Sequence, residues 1–150
     1  MDVRIVDFPE TRVAVFEHRG PPHLEHETTA KLVAWRIANR RPPHLHRTYG
    51  LHYDDPRTTP PADYRMDLCI TVDSPVAAEG VVDKVIPAGR CAVARHVGAD
   101  GNMAALYLSE TWLPASGEQL RAYPLIFHYV NAGPGVTEQD LIVDVYMPLV

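Results

Sequence analysis

The chain contains two nonapeptides of nearly the same sequence, RVAVFEHRG at residues 12–20 and RCAVARHVG at residues 90–98. The similarity continues after them, since Trp35 has a counterpart in Trp112. The offset between the copies stays within 76 to 78 residues, and small changes of offset are typical of loop insertions in a repeated unit. The sequence therefore predicts a tandem duplication.

Each copy shows the same succession of hydrophobic patterns. The alternation in TRVAVFEHR and the apolar run VIPAGRCAVARHVG each indicate a strand. The segments GPPHLEHETTAKLVAWRIANR and GNMAALYLSETWLPAS each indicate a helix, because apolar residues recur every three or four positions. Two further apolar runs follow each helix and indicate strands joined by a loop. The predicted unit is strand–helix–strand–strand, with repeat 1 at about 1–75 and repeat 2 at about 79–150.

Neither unit is large enough to bury both faces of a sheet and a helix by itself. We therefore expect the two units to pack about a pseudo-twofold axis into one domain over residues 1–150. The expected fold is α+β, with a mostly antiparallel sheet and two main helices. A ligand cleft is expected at the junction, because neither half fills the shared concavity with its own side chains.

Charge and hydropathy argue against several classes of partner. The net charge is -5, from 14 Lys plus Arg and 19 Asp plus Glu, and lacks the basic excess that direct nucleic-acid binding requires. No apolar run approaches the roughly 20 residues that cross a bilayer, and the first residues lack the pattern of a secretory signal. We therefore expect a cytoplasmic protein without nucleic-acid or membrane partners. Cys69 and Cys91 lie in apolar strand-like contexts without CxxC spacing and are predicted to be buried free thiols.

The order of these motifs resembles the GyrI-like small-molecule-binding domain. The motifs are the two nonapeptides, each with a proline three residues before it, a helix containing Trp, and then YDDP, TWLPASG, FHYVN and VDVYMPL. The family is similar to the effector-binding domains of AraC-type and MerR-type multidrug-responsive regulators and to a gyrase inhibitory protein. The resemblance covers essentially the whole chain and implies a ligand groove between two duplicated halves.

The resemblance implies a bacterial, stand-alone small-molecule-binding protein whose ligand is hydrophobic and aromatic, with a cationic drug-like compound as one option. No helix-turn-helix pattern precedes the first repeat, so we expect a sensor without an output half. Two alternatives stay open. One is hydrolysis of reactive cyclopropane-type toxic compounds, which the resemblance implies for some members, and the other is a protein-interaction module that contacts DNA gyrase or a regulator protein. No cofactor is expected, and an enzyme is less favoured because no Ser-centred elbow or metal motif is present.

One segment departs from the family pattern. The corresponding family strand commonly reads Phe-Glu-x-Tyr, in which the Glu is a buried anion for cationic ligands, whereas this chain reads IFHYV and we match His128 to the Glu. A neutral imidazole offers a cation only a hydrogen bond. If the protein is an enzyme, His128 is the candidate base, since an unperturbed imidazole has a pKa of about 6.5. At an offset of 76, His128 corresponds to His52, which predicts two imidazoles on one face. With Cys69 or an Asp these two histidines form a conceivable metal site, but no metal is predicted because neither spacing is a ligand motif.

Aromatic side chains complete the predicted ligand site. Tyr146 alternates with the apolar Val145 and Met147, so it is expected to point away from the helix-covered core and into the pocket. Tyrosine suits planar ligands because it offers a ring face and a hydroxyl. The predicted ligand-binding residues are Phe16, His52, Tyr53, Tyr107, Trp112, Phe127, His128, Tyr129 and Tyr146.

Two duplicated pairs are expected to be structural. Trp35 and Trp112 are expected mainly to pack the helices onto the sheet. Asp67 and Asp144 are expected to pair with the duplicated arginines, Arg12 and Arg90, rather than to contact a ligand.

Overall fold

The computed structural model describes all residues from 1 to 150 and contains one eight-stranded antiparallel sheet with two helices on the same face. The sheet order is β1-β6-β8-β7-β3-β4-β2-β5. This architecture confirms the predicted α+β fold with an antiparallel sheet and two main helices. The strands are β1 (Val3–Phe8), β2 (Thr11–Arg19), β3 (Thr48–His52), β4 (Arg65–Thr71), β5 (Val82–Ile86), β6 (Gly89–Val97), β7 (Leu125–Tyr129) and β8 (Ile142–Pro148).

The two helices begin and end at residues whose chemistry explains the boundaries. Helix α1 (Glu25–Asn39) follows a 3-10 turn whose prolines have a preset φ. It ends at Arg40, which adopts the left-handed conformation with φ 53°. The second helix runs over 102–116 as α2 (Asn102–Leu106), a π-helical segment (Tyr107–Trp112) and α3 (Leu113–Ser116). Pro114 lacks an N–H, so the wider π turn just before it accommodates the missing backbone bond. Neither helix is long and apolar enough to span a membrane.

The edge strands β1 and β5 each pair with the other half of the chain. β1 pairs with β6, and β5 pairs with β2. The predicted four-element unit omitted both strands. VIPAGRCAVARHVG was predicted as one strand, but Pro87 and Ala88 separate β5 from β6, since proline cannot donate to a ladder. β1 carries several exposed residues and has no buried alternation that would reveal an edge strand.

The sheet has two buried faces of different kinds. On the helix-covered face, Leu32 of α1 and Leu108 of the second helix each pack into a separate cluster. On the opposite face, which we call the inner face, the sheet packs against itself. Phe8 and Ile86, from opposite edges of the sheet, lie in one cluster there, so the sheet curls until its edges meet. Cys69 and Cys91 are buried in this inner cluster as free thiols, as predicted.

The strands β3 and β7 join the two halves at the centre of the sheet. Gly50 lies opposite Phe127 at the middle of the paired segment, and the pairs on either side are arranged symmetrically about this point. His52 and Tyr129 therefore occupy equivalent positions, at an offset of 77 rather than 76. The predicted equivalence of His52 and His128 is wrong, because a shift of one residue moves a side chain to the other face of a strand.

Asp67 and Asp144, the aspartates predicted to be counterparts in the two repeats, have other partners than the predicted arginines. Asp67 accepts hydrogen bonds from Arg19 at 3.0 Å, Lys84 at 2.8 Å and the Tyr53 hydroxyl at 2.6 Å. Asp144 receives a bidentate contact from Arg95, at 2.7 and 2.9 Å.

The strand register explains why the predicted pairs do not form. Asp67 lies opposite Glu17 on β2, and Asp144 lies opposite Arg95 on β6. Arg12 and Arg90 are each five residues farther along their strands, which corresponds to about 16 Å.

We predict that Asp67→Ala lowers the free energy of unfolding by about 3 kcal/mol, because it leaves a partly buried Lys84 and the Tyr53 hydroxyl without their shared partner. Urea unfolding followed by circular dichroism measures this change. The matched control is Asp55→Ala, which breaks a surface pair with Arg57 and is expected to cost less than about 1 kcal/mol. Equal losses in the two variants would contradict a special role for the Asp67 network.

Candidate functional site

A groove crosses the helix-covered face between α1 and the helix over 102–116, above β3 and β7. It consists of two adjoining cavities with volumes of about 340 Å³ and about 300 Å³. The cavities share His52, Pro56, Asn102 and Phe127, so they lie next to each other on the same face. We call this space the interhelix groove. Its size is in the range of small-molecule sites, which start at roughly 300 Å³.

Three rings from β3 and β7 form the floor of the interhelix groove. The His52 ring stacks on Phe127 with centroids 3.9 Å apart, and the Tyr129 hydroxyl lies 3.4 Å from Nε2 of His52. A Cβ on Gly50 would lie 3.1 Å from both of these polar atoms, so the glycine lets the rings lie close to the sheet. Burial lowers the pKa of His52 to about 4. The floor is therefore aromatic and uncharged at neutral pH.

One end of the groove contains a carboxylate that no lysine or arginine accompanies. Glu25, the first residue of α1, lines the smaller cavity together with Tyr64 and Tyr129. Burial raises the pKa of Glu25, while the Tyr64 hydroxyl and His18 act in the opposite direction. No Lys or Arg lines this cavity. We call this end the Glu25 compartment, and its chemistry suits a cation, since a carboxylate and aromatic faces both attract positive charge.

The other end is lined by apolar side chains together with charged ones, among them Arg121. Leu106, Leu125 and Met147 contribute apolar surface, and Tyr53 and Tyr123 contribute rings that also pack against the inner cluster. Burial raises the pKa of each of these two tyrosines to about 12, so both hydroxyls stay protonated. We call this end the Arg121 compartment.

The structure brings some of the predicted ligand residues to the interhelix groove. His52, Tyr53, Phe127 and Tyr129 line it. Phe16 and Trp112 instead pack in the cores beneath the two helices. Trp35 packs there too, as predicted for both tryptophans. Tyr107 lies in the π-helical segment and lines neither cavity.

His128 and Tyr146 point to the inner face. The His128 ring lies 4.9 Å from that of Tyr49, and the Tyr146 ring lies 5.1 Å from that of Phe8. Tyr146 does point away from the helices, as predicted, but the groove lies on the helix side. His128 therefore lines neither cavity of the groove, and burial lowers its pKa.

Strand geometry also corrects the match to the family pattern. In Phe-Glu-x-Tyr the Glu and the Tyr are two residues apart, so their side chains share one face of the strand. In this chain the residue two positions before Tyr129 is Phe127, which does line the groove. The family carboxylate thus corresponds to Phe127 rather than to His128. His52 and His128 lie on opposite faces, and no group of three or more His, Cys, Asp or Glu residues is arranged to hold a metal ion.

The sequence analysis missed Glu25 and Arg121. Glu25 lies in HLEHE, a segment typical of a solvated helix start, yet it precedes Thr28 by three residues. Thr28, Leu32 and Arg36 are the buried residues of α1. The extension of this buried stripe backward to Glu25 is the signal that the carboxylate lies on the sheet-facing side of the helix, where it lines the groove. Arg121 lies between the second helix and β7, where periodicity carries no information.

Comparison with known proteins agrees with this architecture. The family model for the GyrI-like small molecule binding domain matches residues 1–150. A probable transcriptional regulator, YgiV of Escherichia coli K12, is 43% identical over 99% of this chain and 96% of that protein. A DNA gyrase inhibitor of Erwinia billingiae is 30% identical over 99% of this chain and 97% of its own length. The crystal structure of the EcmrR C-terminal domain has the same fold, with a TM-score of 0.78 at 16% identity over 99% of this chain and 97% of that domain.

We predict that His52 makes the protein acid-sensitive. In the unfolded chain a histidine takes up its proton at about pH 6.5, whereas in the folded protein the pKa of His52 is about 4. The unfolded state therefore binds more protons between these values, and stability falls as the pH drops from 7 towards 4. The contribution of His52 between pH 7 and pH 5 is at most about 2 kcal/mol.

Urea unfolding at pH 7 and pH 5 tests this prediction. His52→Gln is expected to lose less stability than the natural protein on acidification. His44→Gln, which changes an exposed histidine, is expected to behave like the natural protein. Equal acid sensitivity of the natural protein and His52→Gln would contradict the assignment.

Proposed function

Because the chain belongs to the GyrI-like family of small molecule binding domains, we propose that it binds a flat aromatic molecule in the interhelix groove. The observation that carries this proposal is the Glu25 carboxylate, which faces an aromatic cavity without a basic partner. The preferred ligand is an aromatic compound with a cationic group at the Glu25 compartment. The protein acts as a cytoplasmic sensor or sequestering protein related to the effector-binding domains of transcription regulators.

The floor of the groove supports a planar ligand. His52 and Phe127 already stack on one another, and a planar ring laid along them extends an existing aromatic surface. The Tyr129 hydroxyl and the neutral His52 ring offer hydrogen bonds at the edge of that surface. Binding of this kind requires no covalent step, and a few placed polar groups are sufficient to orient the ligand.

We predict that Glu25→Gln weakens binding of 4-(aminomethyl)biphenyl by about tenfold, because the ammonium group loses its charged partner. Binding of the uncharged 4-(hydroxymethyl)biphenyl is expected to stay unchanged. Isothermal titration calorimetry measures both affinities. Glu27→Gln is the matched control, since Glu27 lies in the same helical turn but is exposed. Equal weakening of the amine and the alcohol would show that Glu25 does not recognise charge.

The same pair of ligands gives a pH test. The ammonium binds the ionised carboxylate, so its affinity is expected to fall as acidification protonates Glu25. Because burial raises the pKa of Glu25, the fall begins at a higher pH than for an ordinary glutamate. The alcohol is expected to show no such fall.

A second prediction separates the two faces of β7. Phe127→Glu places a carboxylate in the groove and is expected to increase the affinity for 4-(aminomethyl)biphenyl. His128→Glu places the same charge on the inner face and is expected to leave that affinity unchanged. Thermal unfolding of both variants checks that they fold. A gain of affinity with His128→Glu, but not with Phe127→Glu, would mean that the ligand binds on the inner face.

Hydrolysis of a reactive cyclopropane-type compound is the alternative chemistry for the same groove. Mass spectrometry of ligands after incubation distinguishes the two functions. We expect recovery of the intact compound, as for a sensor. Consumption of the compound would make the protein an enzyme, with His52 as the first imidazole to replace because it lines the groove.

A protein partner is the second candidate function. The chain is 30% identical to a DNA gyrase inhibitor over nearly its whole length, and this similarity is the observation that favours DNA gyrase as a partner. A supercoiling assay with purified gyrase tests it. Inhibition at concentrations near that of the enzyme would support the interaction, and unaffected supercoiling would favour ligand binding alone.

A further inference from the structure

We propose that the interhelix groove selects zwitterionic aromatic molecules, whose anionic group binds Arg121 and whose cationic group binds Glu25. This inference rests on the proposed function and adds a second recognition point to it. It names a class of ligand in which both charges and the aromatic spacer between them are required.

The Arg121 guanidinium has hydrogen-bond donors that no group of the protein accepts from. Its Nε donates to the carbonyl of Leu149 at 3.2 Å, and its Nη2 donates to the carbonyl of Arg90 at 3.4 Å and contacts Sγ of Cys91 at 3.9 Å. None of these bonds uses Nη1, and none involves a carboxylate. A guanidinium group is planar and suits the two oxygens of a carboxylate. A ligand carboxylate would supply the charged partner that the chain does not provide.

The fold leaves room for this guanidinium group. A Cβ on Gly89 would lie 2.6 Å from Nη2 and 2.7 Å from Cζ of Arg121. Such distances are far below van der Waals contact, so any side chain at residue 89 displaces the guanidinium. The absence of a side chain at Gly89 is therefore what allows Arg121 to lie flat beside β6.

The acidic groups of the Arg121 compartment already have partners. Asp54 pairs with Arg65 at 3.0 Å, and Asp55 pairs with Arg57 at 2.9 Å. Arg57 also reaches Glu110 on the second helix, at 3.2 Å. Among the charged residues that line this compartment, only Arg121 lacks a partner of opposite charge.

The aromatic ring at the side of this compartment is already surrounded by cations. Arg65, Arg19 and Lys84 lie 5.3, 5.7 and 6.0 Å from the centroid of the Tyr53 ring. Each of these cations is paired with a carboxylate, Arg65 with Asp54 and both Arg19 and Lys84 with Asp67, so the net charge around this ring is small. The preference of the Arg121 compartment for the negative end of a ligand therefore rests on Arg121, whose positive charge no carboxylate of the chain balances.

The two compartments have opposite charge and share an uncharged floor. Glu25 is the only charged residue that lines the smaller cavity. Phe127 and the neutral His52 lie between the ends, since both line both cavities. A rigid aromatic spacer matches this floor, and a charge at each end of the spacer matches the compartments.

Three ligands with the same aromatic frame test the inference. They are biphenyl-4-carboxylate, 4-(aminomethyl)biphenyl and the zwitterion 4′-(aminomethyl)biphenyl-4-carboxylate. Phenyl and terphenyl versions of each cover other charge separations. Calorimetric titration of the natural protein is expected to give at least a tenfold higher affinity for the best zwitterion than for the amine of equal length.

Two variants test whether Arg121 causes the higher affinity for the zwitterion. Arg121→Gln is expected to remove the tenfold advantage, measured within each variant as the ratio of the affinity for the zwitterion to the affinity for the amine. Gly89→Ala retains the charge but displaces the guanidinium, and is expected to reduce the advantage in the same way. Arg90→Gln is the control, because the Arg90 side chain pairs with Glu118 outside the groove. Thermal unfolding shows whether each variant is folded.

The outcomes separate the inference from the proposed function. If the amine binds and the zwitterion of every length binds no better, the inference fails and the proposed function stands. If Arg121→Gln and Gly89→Ala both fold and keep the zwitterion advantage, the inference also fails. If none of the ligands binds, the proposed function fails together with the inference.

Discussion

The pairing of β3 with β7 is the interaction on which the rest of the molecule depends. It is the only contact between strands of the two halves that lies at the centre of the sheet, and it fixes the register of the groove floor. Because the pairing is centred on Gly50 and Phe127, it brings the equivalent residues His52 and Tyr129 together on one face. Gly50 supplies the space for their rings. The binding surface is thus a direct consequence of how the halves are joined.

The buried charges and the half-buried charges of this molecule have different surroundings. On the inner face, Asp67 has three donors around it, and Asp144 has a bidentate partner. Both carboxylates therefore have a structural role, because their hydrogen bonds connect neighbouring strands. In the interhelix groove, Glu25 and Arg121 have no partner of opposite charge. These two half-buried charges are the ones that the proposed function assigns to a ligand.

Periodicity was sufficient to predict the central elements. TRVAVFEHR corresponds residue for residue to β2, and both helices lie where the apolar spacing places them. The edge strand β1 could not be predicted in this way, because a strand with few buried side chains shows no clear alternation. A repeat offset that drifts between 76 and 78 residues leaves the register of β7 undetermined by one residue. That single residue decides which of Phe127 and His128 lies in the groove.

The site was less predictable than the fold for a physical reason. Phe127 and Tyr129 were predicted from their chemistry, and their common face follows from strand geometry. Glu25 and Arg121 were missed because their importance depends on the absence of partners. A sequence does not show which charges remain unpaired until the chain is folded. Loop residues such as Arg121 also carry no periodic signal.

The exchange of edge strands affects how the chain acquires its structure during synthesis. β1 is made first, but its partner β6 begins about 80 residues later, so β1 stays unpaired while most of the chain is synthesised. Pairing over such a separation is slow, because loop closure costs entropy before any contact compensates for it. Because β1 and β5 each pair with a strand of the other half, neither half contains a complete sheet of its own. A strand that joins its partner this late is also available to a second nascent copy, so domain swapping competes with folding of the single chain when synthesis is crowded.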